Sequence, residues 1–472
     1  MTQLFSLPKL HLSNEVSVSR KARVLTMAKT KNASVKKRGT FAWALWDWAE
    51  QPFPTIMQTF IFPLFLASAA GAVAASCTDP NIKSAFDTQL GLTTTISGIL
   101  LALIAPVLGR RSDDHGKRKF WLMVNTYILV AIMIAAFFIE PKPEYVFAGL
   151  VLYGLGSVVQ ESAFINYYAM LKQVTTDKNI GRVSGYAWGL GYAGGIILLV
   201  ISLIGFIQTE HPWFGVPTTD GYQYRAVFLF SAIWMLVFSI PLMLRVPEIE
   251  AKPGARKESI LGSYRAIWSQ LKSLREQAPE TLKFLISSAI FRDGLAGVFT
   301  FGAVLGSLAF CFETADIIVF GIAANLISGL GAVVGGRLDD KFGSRTVIAG
   351  SLVGLILAGS GVFFFASEGK ITYWIGGLLL CLFVGPAQAS ARTFVARFTP
   401  KGREGEVFGL YQFTGRAVSF LSGSMWALSI LFAHTVLGVA NATIYGIWGL
   451  MIILVVGLVL LLRVNPNPKV LE

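Results

Sequence analysis

Four charged side chains lie deep inside long apolar segments of the sequence, at Asp47, Glu161, Asp293 and Arg416. A carboxylate can take up a proton or bind an ammonium group, and a guanidinium can bind a carboxylate. A charge at bilayer depth costs about 2.5 to 3.5 kcal/mol on insertion scales, so each one that persists is a candidate functional residue. The alternative is that these charges only pair with each other and lock the helices. We favour binding of a polar solute or a proton, because four charges in one layer exceed what helix packing requires.

Polar residues extend each charge into a stripe, since residues three, four or seven positions apart lie on one side of a helix. The stripes comprise Asp47, Gln51 and Gln58; Ser157, Glu161 and Tyr168; Asp293, Gly297 and Thr300; Gln388 and Arg392; and Gln412, Arg416 and Ser419. Such stripes are expected to face a water-filled cavity. The predicted substrate-binding or proton-coupling residues are therefore Asp47, Gln51, Glu161, Asp293, Gln388, Gln412 and Arg416.

Each charge in this set has a predicted role. We assign proton coupling or ammonium binding to Asp293 and Glu161, and carboxylate binding to Arg416. Asp47 is expected to link the first helix to that layer.

Two further charges and two prolines lie beside the layer. Glu50 has no assigned role, and Arg292 is as consistent with packing as with function. Pro52 and Pro54 free the carbonyls of Trp48 and Glu50 from the helical hydrogen bonds. These carbonyls could bind a cation or an ammonium group, or the prolines could only kink the helix, and the sequence favours neither alternative.

The elements that position these residues are membrane helices. The chain of 472 residues is 54% hydrophobic and 14% charged, whereas soluble domains are about 25% charged. About 20 apolar residues cross the hydrocarbon core as a helix. We predict an all-α polytopic membrane protein with twelve spans, at 41–70, 88–108, 120–139, 145–171, 183–207, 226–244, 283–310, 317–336, 346–366, 372–396, 407–433 and 442–462.

The net charge of +13 is explained by its distribution among the loops. Almost all Lys and Arg residues fall on one side; the outer loops keep Lys83, Lys142, Arg225 and Lys370. By the positive-inside rule, both termini are predicted to be cytoplasmic. The basic charge therefore reports orientation, and we expect the lipid bilayer and a small-molecule substrate as partners, no nucleic acid, and a monomer.

A short loop pattern recurs in the two halves of the chain. "GRRSDDHGKRK" (109–119) and "GRLDDKFGSRT" (336–346) share Gly, Asp, Gly and Arg at the same spacing. The same separation of 227 residues relates Glu161 to Gln388, and a separation of 224 residues relates "SGYAWGLGY" (184–192) to "FGLYQFTGR" (408–416). Two six-helix halves in parallel repeat are the plan of a two-bundle transporter with its site between the bundles near the midplane.

The repeated loop is predicted to be a cytoplasmic gate. Glycine lets two helices approach closely, and an aspartate can accept hydrogen bonds at a helix amino terminus. A short loop obeying the positive-inside rule would explain the basic residues but not the glycine and aspartate spacing. The predicted gate residues are Gly109, Asp113, Gly116, Arg118, Gly336, Asp340, Gly343 and Arg345.

The predicted domains follow from the same pattern. They are a basic tail at 1–40 without a signal peptide, a six-helix bundle at 41–246, a cytoplasmic linker at 247–282, a second bundle at 283–463 and a tail at 464–472. The linker contains "SILGSYRAIWSQLKSLREQ", an amphipathic helix that either lies on the inner leaflet or packs on the bundles.

Soluble-enzyme chemistry and cofactors are not expected. The four histidines lack metal-ligand spacing, and no phosphate-binding loop occurs, so ATP is not the expected driving force. The three cysteines are interpreted as apolar fillers, although Cys77 and Cys311 lie at outer helix ends where a bridge is conceivable.

Four segments resemble a known family: "WALWDWAEQPF" (43–53), "GRVSGYAWGLGYAGG" (181–195), "FRDG" (291–294) and "PKGREGEVFGLYQFTGRAVSFL" (400–421). They are similar to the vacuolar amino-acid effluxers linked to autophagy, and to their bacterial counterparts, within the major facilitator superfamily. The resemblance implies the major facilitator fold and secondary transport. Related chains usually carry Tyr and Asn where this one has Trp46 and Glu50, and again where it has Phe291 and Arg292, so two extra charges lie near the presumed site.

Together these observations predict an alternating-access transporter for a small polar solute, an amino acid or related zwitterion, with protons as a candidate coupling ion. The expected location is a bacterial cell membrane, with a vacuolar-type membrane as the alternative. A membrane receptor or scaffold that keeps the fold without transporting is the other function considered.

Overall fold

The computed structural model describes residues 39–71, 80–249, 272, 275–276, 278–310, 312, 314–400, 402–439 and 442–466. Within these ranges the chain is helical and contains no strand. Twelve helices are long and apolar enough to cross a membrane, which confirms the predicted number and order of spans. Their bounds, for α1 to α12, are Gly39–Ala69, Pro80–Asp114, Arg118–Ala136, Pro143–Ala169, Ile180–Ile207, Tyr222–Arg245, Pro279–Ala309, Thr314–Phe342, Ser344–Phe364, Lys370–Phe398, Glu404–Thr435 and Gly446–Leu462.

Two helices that carry charges singled out by the sequence, α1 and α11, are interrupted. In α1 the α-helix gives way to a π-helix over Pro52–Phe60, because the prolines there cannot donate to the helical ladder. In α11 an α-helix ends at Ala417 and a second begins at Leu421. Both breaks lie close to the charges that the sequence singles out.

The twelve helices form two six-helix bundles, α1–α6 and α7–α12. The first bundle has its own apolar core, which includes Phe53, Leu129 and Phe228. The core of the second bundle continues into Trp43 and Tyr167 of the first. The two bundles are therefore packed together on the side where α1 begins, and we call that side the basic end because it carries the α2–α3 and α8–α9 loops.

Several predictions fall outside the described residues. They are the basic tail as far as residue 38, most of the amphipathic segment of the linker, Cys77 and Cys311. Cys381, which is described, is buried with a free thiol. The predicted domain boundaries stay predictions.

Candidate functional site

Polar side chains from both bundles meet in one layer. We call this set the polar layer, and it comprises Asp47, Glu50, Gln51, Gln160, Glu161, Arg292, Arg392, Gln412 and Arg416. Helices α1 and α4 supply the acids, whereas α7, α10 and α11 supply the arginines. The layer is built from two ion pairs that cross between bundles and from amides that connect them.

The first ion pair joins Glu161 of α4 to Arg416 of α11. Gln412, one turn before Arg416, donates a hydrogen bond from Nε2 to Glu161 at 2.5 Å. The side chains of Glu161 and Arg416 are 20% and 31% exposed, so the pair is accessible inside an otherwise apolar protein. This is the arrangement that a polar solute could reach and replace.

Arg292 of α7 extends this pair across the second bundle. Its Nη2 donates to Oε1 of Gln412 at 3.0 Å, and its Nη1 donates to the carbonyl of Tyr411 at 3.1 Å. The guanidinium also lies 3.8 Å from the ring centre of Tyr411, a cation–π contact. Among the described residues no carboxylate lies within 4 Å of Arg292, which leaves its charge available to a ligand.

The second ion pair joins Asp47 of α1 to Arg392 of α10, with 3.2 Å between Oδ2 and Nη1. Arg392 also donates to the carbonyl and hydroxyl of Ser184, at 2.7 and 3.0 Å. Aromatic rings surround its guanidinium, with those of Trp43 and Tyr168 at 5.2 and 5.1 Å. Because Arg392 is 1% exposed, this pair is closed to solutes and holds the bundles together.

Sequence reasoning placed Arg392 on a stripe but missed it as a site residue. It lies six positions before the end of α10 and close to Arg397. Its spacing of four from Gln388 was the available signal. Gln388 itself accepts a hydrogen bond from the hydroxyl of Tyr192 at 3.0 Å, which is another contact between bundles.

Glu50 is the third acid of the layer, and it contacts amides instead of a cation. It accepts hydrogen bonds from Nε2 of Gln51 at 3.0 Å and from Nε2 of Gln160 at 2.9 Å. The residue is 3% exposed. No Lys, Arg or His in the described part of the chain lies within 4 Å of its carboxylate.

Asp293 lies apart from these groups. It accepts hydrogen bonds from the backbone N–H and the hydroxyl of Ser422, at 2.6 and 3.2 Å. Ser422 is the second residue of the second segment of α11, so Asp293 caps a helix amino terminus at the break. The predicted grouping of Asp293 with Arg416 is not among the described contacts.

The predicted gate residues meet at the basic end. Asp113, at the end of α2, accepts hydrogen bonds from the backbone N–H groups of Gly405 and Glu406, at 2.9 and 3.0 Å. Asp340, at the end of α8, accepts from those of Gly181 and Arg182, at 2.8 and 3.0 Å. Each aspartate therefore caps a helix of the other bundle, α11 in one case and α5 in the other.

Glycines allow the close approach behind both caps. A Cβ placed on Gly109 would lie 2.0 Å from the carbonyl oxygen of Gly405, and one on Gly336 would lie 2.5 Å from that of Gly181. Gly116 and Gly343 end the two helices with positive φ values of 62° and 82°, which favour glycine.

The two gate arginines differ in what they contact. Arg118 is buried, and its Nη2 lies 2.6 Å from both Asp113 and Glu404, so it bridges the bundles. Arg345 donates to the carbonyl of Leu462 in its own bundle. In the second half Arg397 of α10 lies beside both aspartates at the end of α8, with Nη1 2.5 Å from Asp339 and Nη2 3.6 Å from Asp340, and these contacts are within the second bundle.

The geometry thus combines an accessible charged layer with a closed basic end. The inter-bundle hydrogen bonds described above lie either in the polar layer or at that end. When the bundles move, opposite charges on different bundles can separate, and each can then bind a charged group of a solute instead. This arrangement suits binding and release of a dipolar molecule, without chemistry on it.

Comparisons with known proteins agree on one family for this chain. The family described as "Vacuole effluxer Atg22 like" matches residues 35–469. A protein of Bacillus subtilis (strain 168) named uncharacterized MFS-type transporter YxiO is 26% identical over 89% of this chain and 93% of its own length. Autophagy-related protein 22-1 of Aspergillus fumigatus is 26% identical over 50% of this chain, which corresponds to 41% of the fungal protein.

Solved structures show the same fold at low identity. The proton:xylose symporter XylE has a TM-score of 0.68 and 16% identity, and the match covers 91% of this chain and 95% of that one. A bacterial homologue of the iron transporter ferroportin, in an outward-facing state, has a TM-score of 0.61 and 13% identity, covering 91% and 98%. The predicted major facilitator fold is therefore confirmed, and these neighbours are transporters rather than enzymes.

Proposed function

The chain belongs to the Atg22-like vacuole effluxer family of major facilitator proteins, and from that premise we propose that it carries an amino acid or related zwitterion by alternating access. The polar layer is the solute site in this proposal, and the two capped loops at the basic end form one gate. Protons are the proposed coupling ion.

The accessible Glu161–Arg416 pair is the observation that supports this proposal. An amino acid carries an ammonium group and a carboxylate, which match Glu161 and Arg416 in charge. Arg292 lies next to the pair through Gln412 and offers a second cation for the carboxylate. A solute that replaced the protein's own ion pair would loosen one link between the bundles, so binding and movement would be connected.

The remaining residues take supporting parts. Asp47 and Arg392 hold α1, α5 and α10 together beside the site, and Gln51 and Gln388 complete its polar lining. Asp293 fixes the break in α11 through Ser422, which would let the first segment of α11 move with Arg416. We place the protein in a bacterial cell membrane as a monomer, with both termini cytoplasmic.

The test is flux through the purified protein in liposomes. An imposed pH gradient provides the driving force, and the probes are tritium-labelled leucine, lysine and glutamate. Arg416→Gln removes a charged hydrogen bond of about 1.5 to 3 kcal/mol, so uptake should fall about ten- to hundredfold. Arg463→Gln, which removes an exposed arginine beyond the end of α12, is the matched control and should transport normally.

Two outcomes separate the proposal from its alternatives. If none of the three amino acids enters the liposomes under either direction of the gradient, the transport proposal fails. In that case, retained binding of an amino acid by equilibrium dialysis would favour a receptor on the same fold. Equal uptake by wild type and Arg416→Gln would refute the assigned site but not transport itself.

A further inference from the structure

The three acids of the polar layer differ in their counter-ions. Asp47 has Arg392 at 3.2 Å, and Glu161 has Arg416. Glu50, by contrast, has only the amide N–H groups of Gln51 and Gln160. It is also among the most buried of the charged side chains, at 3% exposure.

The elements around Glu50 supply no cation to it. Asp47, one turn earlier on α1, and Glu161, next to Gln160 on α4, are themselves acids. Helix α5 packs against this part of α1 through glycines, with Gly191 facing Gln51 and Gly194 facing Trp48. Helix α6 contributes Trp234, which stacks on Trp48.

The arginines of the layer are all engaged elsewhere. Arg392 contacts Asp47 and Ser184, Arg416 contacts Glu161, and Arg292 contacts Tyr411 and Gln412. None lies within 4 Å of Glu50 among the described residues. An ionised carboxylate buried without a cation is strongly unfavourable, whereas its protonated form is not.

The amides around Glu50 can serve both of its forms. The Nε2 groups of Gln51 and Gln160 donate to an ionised carboxylate. If either amide rotates by half a turn it presents Oε1 instead, which accepts the hydrogen of a protonated carboxyl group. The pocket can therefore hold Glu50 with or without a proton without moving a helix.

We propose that Glu50 is the proton-binding residue of this transporter, and that its protonation prepares the polar layer for a solute carboxylate. The inference rests on the proposed function. The proton adds to one carboxylate oxygen of Glu50 from water that reaches the layer on one side of the membrane. It leaves that oxygen for water on the other side after the bundles have moved.

Charge balance explains why the two events would be linked. With Glu50 ionised, Asp47, Glu50 and Glu161 balance the charges of the three arginines. With Glu50 protonated, two acids pair with Arg392 and Arg416, and the charge of Arg292 is unbalanced. One proton on Glu50 therefore favours one anionic group at Arg292, and by reciprocity the anionic group favours the proton.

Infrared spectroscopy of the purified protein tests proton binding without any solute. The C=O stretching band of a protonated carboxyl group should be present in wild type and absent in Glu50→Gln, over part of the pH range in which the protein is folded. Glu161→Gln is the matched control, because Glu161 is ion-paired, and it should keep that band. Glu50→Asp should shift the band and not remove it. A wild type that differs from Glu50→Gln only by an ionised carboxylate band at every pH would overturn the proposal.

Liposome flux tests the coupling. With a pH-sensitive dye inside, wild type should move a proton with the labelled amino acid it carries, and Glu50→Gln should move that amino acid without one. An unchanged proton-to-solute ratio in Glu50→Gln overturns the inference. Solute uptake by wild type without proton movement also overturns it but leaves the proposed function standing. If wild type carries no solute, the proposed function fails, and the infrared result still decides whether Glu50 binds a proton.

Discussion

The contact between Gly109 and Gly405 gives a sharp prediction about the gate. Gly109→Ala would place a Cβ 2.0 Å from the carbonyl oxygen of Gly405, whereas an ordinary contact is about 3.4 Å. The helices α2 and α11 must therefore separate by about 1.4 Å. The hydrogen bonds from the N–H groups of Gly405 and Glu406 to Asp113, now 2.9 and 3.0 Å long, would then be broken.

The size of the effect follows from those two hydrogen bonds. A hydrogen bond to a charged group contributes about 1.5 to 3 kcal/mol, so the closed state should lose about 3 to 6 kcal/mol relative to the open state. Even the lower value changes the ratio of the two states by about a hundredfold. The gate should therefore be open for a much larger fraction of the time.

Thiol labelling measures that fraction. Ser112 is fully buried beside the contact, so Ser112→Cys, in a chain without Cys77, Cys311 and Cys381, should react slowly with a water-soluble maleimide. Adding Gly109→Ala should raise the labelling rate by about a hundredfold or more. Gly350→Ala is the control, because a Cβ at Gly350 meets no atom within 4 Å. Equal labelling rates with and without Gly109→Ala would refute the assignment of this contact to a gate.

Two further substitutions test the buried polar contacts through the thermal unfolding midpoint of the purified protein. Arg392→Lys keeps the positive charge but cannot reproduce the fork that joins Asp47 to Ser184. The loss of a hydrogen bond made by a charged group costs about 1.5 to 3 kcal/mol, so the midpoint should fall by several degrees. Arg463→Lys should leave the midpoint unchanged. Asp293→Asn removes the charge that caps the second segment of α11, which weakens both hydrogen bonds from Ser422. It should lower the midpoint more than Ser422→Ala, which removes only the bond from the hydroxyl, a loss of about 1.5 to 3 kcal/mol. A fall in Ser422→Ala as large as that in Asp293→Asn would contradict the capping interpretation.

The sequence predicted the membrane helices well because hydrocarbon thickness sets their length and composition. It also predicted where Asp113 and Asp340 lie, since the loop repeats in both halves. It could not identify their partners, because Gly405 and Gly181 are far away in the chain and carry no side chain to mark the contact. A backbone N–H group leaves no signature in a sequence.

The polar layer was predicted in part for a related reason. Apolar surroundings reveal that a charge is buried, so Asp47, Glu161 and Arg416 were found. They do not reveal which charge it meets, and the pairing of Asp47 with Arg392 depends on how the bundles are packed together. Glu50 could be recognised as a charge within a span, but only the structure shows that amides take the place of its counter-ion.

The two gate loops, and the two sequence distances that separate equivalent residues of the two halves, have one physical explanation. Adding 227 to Ala105, Gly109 and Asp113 gives Ala332, Gly336 and Asp340, and adding 224 to Gly181 and Gly185 gives Gly405 and Gly409. In the structure α2 contacts α11, and the equivalent helix α8 contacts α5, which is the equivalent of α11. Each interface is therefore the symmetric counterpart of the other. A motion that opens one must strain its counterpart unless both open together. The basic end should therefore open as a unit. The ion pairs of the polar layer, Glu161–Arg416 and Asp47–Arg392, would then be located where that motion meets the proposed solute site.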